Sequence, residues 1–142
     1  MNKTVALKHN NKQWYLIDAT NQNLGRLSTK IASILIGKDQ IKYTPYLINN
    51  TYVIIINAKF ITITGQKQYQ KIYKRHSGQP GGLKSERFKE LQKRLPYKII
   101  EKSVKGMLPK GVVGRKLFSK LKVYEGNNHP YSAQKPKIIS IN

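Results

Sequence analysis

Trp14-Tyr15-Leu16-Ile17-Asp18, a spaced series of Leu24, Leu27, Ile31, Ile34 and Leu35, and then Tyr52-Val53-Ile54-Ile55-Ile56-Asn57 decide the fold class. The first run is short, apolar and aromatic, which predicts a buried strand. The second recurs at three- and four-residue steps and predicts one stripe of an amphipathic helix. Gly37 supplies its stop. The third run is apolar without alternation, as a central strand covered on both faces requires. Strand, helix and strand in that order predict a parallel pair joined by a right-handed crossover. The expected fold is α/β, a single three-layer α/β/α domain with a small, mainly parallel central sheet and flanking helices.

Outward from this core, residues 38–50 read as a loop interrupted by Pro45, and Phe60 to Thr64 alternates like another strand. Ser85 reads as the cap of a helix carrying Phe88, Leu91 and Leu95 on one side, with Glu86 near its positive end. Pro96 ends that helix and opens another through Ile99, Ile100 and Val104, closed by Gly106. A fourth helix is expected from about Val113 to Leu121, then a last strand from Leu121 to Tyr124. The expected divisions are a basic arm over 1–12, an α/β domain with basic glycine-rich loops over 13–125, and an irregular tail over 126–142.

Charge narrows the function. The 142 residues hold 27 Lys and Arg against 6 Asp and Glu, a formal charge of +21. Such self-repulsion is relieved by a polyanion, with nucleic acid the first candidate and an anionic membrane surface the second. No apolar run approaches the ~18 residues of a membrane span. The first twelve residues lack both the apolar core of a signal peptide and the Arg- and Ser-rich character of a transit peptide, which predicts use in the compartment of synthesis. Residues 13–65 carry five basic and two acidic side chains, whereas 66–122 carry seventeen and three. The first half reads as scaffold and the second as a polyanion-facing surface.

Two segments concentrate that surface. In Arg75-His76-Ser77-Gly78-Gln79-Pro80-Gly81-Gly82-Leu83-Lys84, three glycines let the backbone approach a ligand and present N–H groups to phosphate. Composition alone reads the same segment equally as a mobile surface turn. From Lys105 through Lys110 to Arg115 and Lys116, glycine and proline hold a kinked helix–helix link among cations, and helix N-termini attract phosphate. An ordinary connection explains those glycines but not the scarcity of acids. Tyr43, Tyr46, Tyr69, Tyr73, Tyr97 and Tyr131 lie near lysines or arginines, as rings that stack on unpaired bases do; Tyr15 and Tyr52 read as packing.

Enzyme chemistry finds no footing. Of the six acids only Glu86 and Glu90 are close, at a helical spacing that suits ion pairing with Lys89, Lys93 and Arg94. His9, His76 and His129 share no ligand spacing, cysteine is absent, and no phosphate loop or dinucleotide fingerprint occurs. No cofactor, metal or small-molecule substrate is expected.

The strings WYLIDAT (14–20), Leu24-Gly25-Arg26-Leu27, Gly37-Lys38 and Tyr43-Thr44-Pro45 are each weak alone. So are Asn57-Ala58, Arg75-His76-Ser77-Gly78, Gly81-Gly82-Leu83-Lys84, VKGMLPK (104–110), Gly114-Arg115, Leu121-Lys122-Val123-Tyr124, His129-Pro130 and Ala133-Gln134. Together and in order, over nearly the whole chain after Lys12, they resemble the universal large-subunit ribosomal protein thirteen family in its bacterial and plastid form. Tyr46 and Tyr131 stand where many members have histidine, and Asn50-Thr51 replaces a common Gly-Asp.

The resemblance implies a structural, non-catalytic constituent of the large ribosomal subunit that joins early in assembly. It further implies partners in large-subunit rRNA (23S-type) and neighbouring ribosomal proteins. The expected rRNA contacts are Arg75, His76, Gly78, Gly81, Gly82 and Lys84; Lys105, Lys110, Arg115, Lys116 and Lys120; and Lys38, Lys42, Tyr43 and His129. A DNA-binding or architectural protein is the alternative, but it would show a recognition helix or dimer surface. Lysine outnumbers arginine 22 to 5, a bias that suits a plastid stroma or the cytoplasm of an AT-rich bacterium equally.

Overall fold

A computed structural model describes residues 12–41 and 43–140; the N-terminal arm up to residue 11 lies outside them. Strand β1 (Gln13–Asp18) and strand β2 (Thr51–Ile56) pair in parallel over six residues, Gln13 opposite Thr51 through Asp18 opposite Ile56. Helix α1 (Leu24–Ile36) joins them. The Asn23 side chain accepts from the Gly25 N–H at 3.1 Å and satisfies one open donor of the first turn. Gly37 ends the helix at φ 84°, and a Cβ there would lie 2.7 Å from the Asn49 amide nitrogen. That amide donates to Thr51 Oγ1 at 2.7 Å, so the end of α1 is packed onto the start of β2.

The chain continues through a 3-10 turn (Ala58–Phe60), a one-turn helix α2 (Lys67–Gln70), and an antiparallel hairpin of β3 (Ile72–His76) and β4 (Leu83–Arg87). Helices α3 (Phe88–Arg94), α4 (Pro96–Met107) and α5 (Val112–Phe118) follow, then β5 (Leu121–Val123), a second 3-10 turn (Ser132–Gln134) and β6 (Lys137–Ile138). The main sheet has the order β5-β2-β1-β6, and each adjacent pair is parallel. The α/β expectation with a mainly parallel sheet and flanking helices therefore holds.

Alternation divides the two faces. Ile17, Val53 and Ile55 meet Leu27, Ile31 and Leu35 of α1 and Ile99, Ile100 and Val104 of α4, all fully buried in one apolar cluster. Each such side chain contributes roughly 1.5–3 kcal/mol relative to exposure. On the opposite face Trp14 stacks on Tyr52, centroids 4.3 Å apart and planes within 13°. Tyr131 packs on Trp14 at 5.1 Å. The outer layer on that side is the C-terminal segment with its short 3-10 turn, thinner than the helical layer.

Several local expectations change. Phe60 to Thr64 makes an isolated bridge, Thr62 with Asn23, rather than a strand. Asn57 turns the chain at φ 58°, and the N–H groups of Asn57 and Ala58 go to the carbonyls of Gly126 and Tyr124. Ser85 caps no helix, because residues 83–87 pair with β3. Helix α3 begins at Phe88, with the Arg87 N–H held by Glu90 at 3.2 Å. Gly106 lies inside α4, whose end is Met107. Helix α5 stops at Phe118, releasing Leu121 to β5. The tail read as irregular adds β6 beside β1.

Two glycines test this packing in opposite directions. A Cβ on Gly114 would lie 1.7 Å from the Pro109 carbonyl oxygen, whereas one on Gly106 meets nothing within 4 Å. Gly114→Ala should destabilise by about 1–3 kcal/mol through overpacking. Gly106→Ala should stabilise by roughly 0.5–1 kcal/mol. Urea unfolding of the two variants checks both signs.

Candidate nucleic-acid interface

The first basic segment is a hairpin whose glycines are confined to residues 77–82. Gln79-Pro80-Gly81-Gly82 closes with the Gly82 N–H donating to the Gln79 carbonyl at 3.0 Å. Gly81 has φ 71°, which with proline before it makes a type II turn. Gly82 is favoured by space, since a Cβ would lie 2.9 Å from the Gln79 carbonyl oxygen as well as against the Ser77 hydroxyl. The Gly78 N–H donates to His76 Nδ1 at 2.9 Å, which orients an otherwise exposed ring. Arg75 and Lys84 are directly opposed across the ladder. Like charges so placed destabilise a hairpin, and a bound anion removes the penalty.

The second segment turns at Gly111 (φ 100°) and is fixed by the contact of Gly114 with Pro109 already described. Lys110, Arg115 and Lys116 are exposed around this corner, and Lys105 precedes it on α4. Lys105 lies over the Phe118 ring at 5.8 Å.

The fold sets the hairpin beside α4, whereas Lys110, Arg115 and Lys116 stay outside the groove between them. Arg75 and Lys84 of the hairpin and Lys105 of α4 border one groove of about 530 Å³. The sequence reading missed Lys98 and Lys102, which line the same groove with Tyr73 and Phe118. Their signal was available, because Lys98, Lys102 and Lys105 are spaced four and three apart on a predicted helix. Lys102 lies 4.9 Å from the Tyr73 ring centre. Of the other ringed positions, Tyr69 carries Lys89 at 5.2 Å and Tyr97 carries Lys98 at 5.3 Å.

Other candidates lie elsewhere. Lys38 and Tyr43 are exposed beyond the end of α1, apart from the groove, and Lys42 lies outside the described residues. His129 is half-buried in the C-terminal segment, where its Nδ1 accepts from the Tyr131 N–H at 3.2 Å. Lys120 is a correction. It is only 9% exposed, its ammonium donates to the Asn49 carbonyl and, at 3.1 Å, to Asn50 Oδ1, and it lies 5.6 Å from the Tyr52 ring. It clamps the loop before β2 and is not presented to a ligand.

The acids are committed locally. Glu86 takes a two-pronged contact from Arg94 at 3.1 and 2.6 Å, and that hydrogen-bonded guanidinium holds its carboxyl below the ordinary range. Glu101 accepts from Lys98 at 2.7 Å, which raises the lysine's pKa. Among the described residues no group of acids and histidines forms a metal cage.

A family model described as Ribosomal protein L13 matches residues 12–130. Similar curated proteins include Large ribosomal subunit protein uL13c of Pyropia yezoensis, 62% identical over 96% of this chain and 97% of its own length. That of Porphyra purpurea is 60% identical over 96% and 97%. Large ribosomal subunit protein uL13 of a Prochlorococcus marinus strain is 54% identical over 99% and 95%.

Burial pushes the Lys120 pKa below its ordinary 10.5. Between the folded and unfolded values the unfolded chain binds more protons, so this group adds stability as pH rises. Lys120→Ala should cost about 1–3 kcal/mol by leaving a buried carbonyl unpaired. The gap to the parent should widen as pH climbs from neutral toward 10.5, as measured by urea unfolding across that range.

Proposed function

The chain belongs to the ribosomal protein L13 family, and from that premise we propose that it is a structural constituent of the large ribosomal subunit that binds large-subunit rRNA of the 23S type. Family membership over residues 12–130 is the observation that carries this reading. It also carries the non-catalytic reading. The DNA-binding alternative finds no support in these relatives. Cyanobacterial uL13 and red-algal uL13c proteins stand among them, which favours bacterial cytoplasm or plastid stroma as the compartment. Neighbouring ribosomal proteins complete the set of partners.

The binding mechanism follows from charge. Phosphate contacts from the cations of the β3–β4 hairpin, the 105–116 corner and the exposed Lys38 supply affinity through counterion release, and the exposed Tyr43 adds a ring on which an unpaired base can stack. Shape and unpaired loops supply specificity, because side chains cannot read the deep major groove of A-form RNA. Early joining suits a protein whose charge is relieved only on RNA.

Full-length protein titrated with transcribed large-subunit rRNA tests this. For about 6–10 neutralised phosphates, affinity should fall ~10³–10⁵-fold between 50 and 200 mM salt, and a flat salt response rejects the mechanism. Arg75→Ala with Lys110→Ala should lower incorporation into the large subunit while urea unfolding shows no loss of stability. Normal incorporation of that variant removes both residues from the interface.

A further inference from the structure

The groove between the hairpin and helices α3, α4 and α5 is built differently from the rest of the basic surface. Its floor is apolar and partly aromatic, formed by Leu91, Leu95, Tyr73 and Phe118. Its walls bear six cations and two acids. Glu86 is held by Arg94 and Glu101 by Lys98; Arg75, Lys84 and Lys105 have no carboxylate partner among the described ion pairs, and Lys102 feels Glu86 only through space. The volume of about 530 Å³ falls within the ~300–1,000 Å³ typical of sites for small ligands.

Simple packing accounts poorly for this arrangement. Arg75 and Lys84 repel across the ladder. Lys102 and Lys105 lie against the Tyr73 and Phe118 rings, on flexible stems that can swing toward an arriving anion. The Tyr73 hydroxyl is buried with no hydrogen-bond partner among the described residues, whereas a packing tyrosine ordinarily finds one.

We propose that this groove seats one unstacked nucleotide of the RNA, its base laid on the Phe118 side of the apolar floor and its adjoining phosphates on Arg75, Lys84 and Lys102. The inference rests on the rRNA-binding reading and deepens it by naming a flipped-out nucleotide as the occupant. An acidic protein segment would match the charge but not the pair of rings. A nucleotide matches both, because a flat base stacks on an aromatic face while its phosphates reach the cations beside it.

Ultraviolet crosslinking of the full-length protein to transcribed large-subunit rRNA, read by mass spectrometry, tests this without any variant. A nucleotide adduct on Tyr73 or Phe118 is expected. Phe118→Leu, which keeps an apolar side chain but removes the ring, should abolish an adduct at 118 and weaken binding roughly tenfold at fixed salt. It should leave the salt slope unchanged, whereas Lys102→Gln should reduce that slope by about one unit. Tight rRNA binding with adducts only outside the groove, and parental affinity for Phe118→Leu, overturns the inference while the rRNA reading stands. Groove protection that requires a neighbouring ribosomal protein rather than RNA also overturns it. Absence of saturable rRNA binding removes the underlying reading itself.

Discussion

The parallel pairing of Gln13–Asp18 with Thr51–Ile56 is the constraint on which the rest of the molecule hangs. Because side chains alternate across a strand, six residues of fixed register assign each neighbour to one face or the other. Ile17, Val53 and Ile55 commit one face to α1 and α4. Trp14 and Tyr52 commit the other to the C-terminal segment. A one-residue slip would put the ring stack into the helical layer and leave the isoleucines facing the thin one. The knot at the entry to β2 opposes such a slip. Asn49 reaches Thr51, Lys120 reaches Asn49 and Asn50, and Gly37 leaves room for Asn49.

Electrostatics divides along the same line. Glu86, Glu90 and Glu101 lie in the basic half, and each is already engaged by a side chain or N–H of that half. Asp18 belongs to the scaffold. Burial alone would raise its pKa, but bonds from Thr20 and Asn57 outweigh this and draw it below the ordinary value. Such exposed pairs contribute little stability individually. Their larger effect is to fix where uncompensated charge remains, on the hairpin, along α4 and around the Gly111 corner. The free protein therefore carries a localised excess of positive charge, the arrangement that attracts polyanions by long-range steering.

Much of this was legible in the sequence because periodicity is a local signal. β1, α1 and β2 follow directly from the spacing of Trp14 to Asn57, and Gly37 and Pro96 mark their helix boundaries as expected. What escaped was decided by pairing across the chain. Residues 83–87 hold a serine and a glutamate that suit a helix start, yet β3 recruits them into a hairpin. Lys137 and Ile138 carry almost no strand signal in a two-residue stretch, and only the open edge of β1 gives them one. Phe60 to Thr64 alternates convincingly, but Asn57 turns the chain and the local N–H groups are taken by residues 124 and 126.

The interface shows the same limit in reverse. Reading by composition treats every lysine in a basic stretch as equivalent, so Lys120 and Lys105 look alike on the page. The fold separates them. Lys120 follows α5 at the entry to β5, where it turns inward over Tyr52. Lys105 ends a stripe on α4 whose far wall is a hairpin some twenty residues upstream. The hairpin and α4 thereby become two sides of one groove, while Lys110, Arg115 and Lys116 lie outside its lining. Two further cations of its wall, Lys98 and Lys102, lie on a helix that the sequence presents as core-forming. The apolar positions of α4 that bury Ile99, Ile100 and Val104 also dictate where Lys98, Lys102 and Lys105 must point. Core packing and the cation-lined wall of the groove are therefore set by one helical phase.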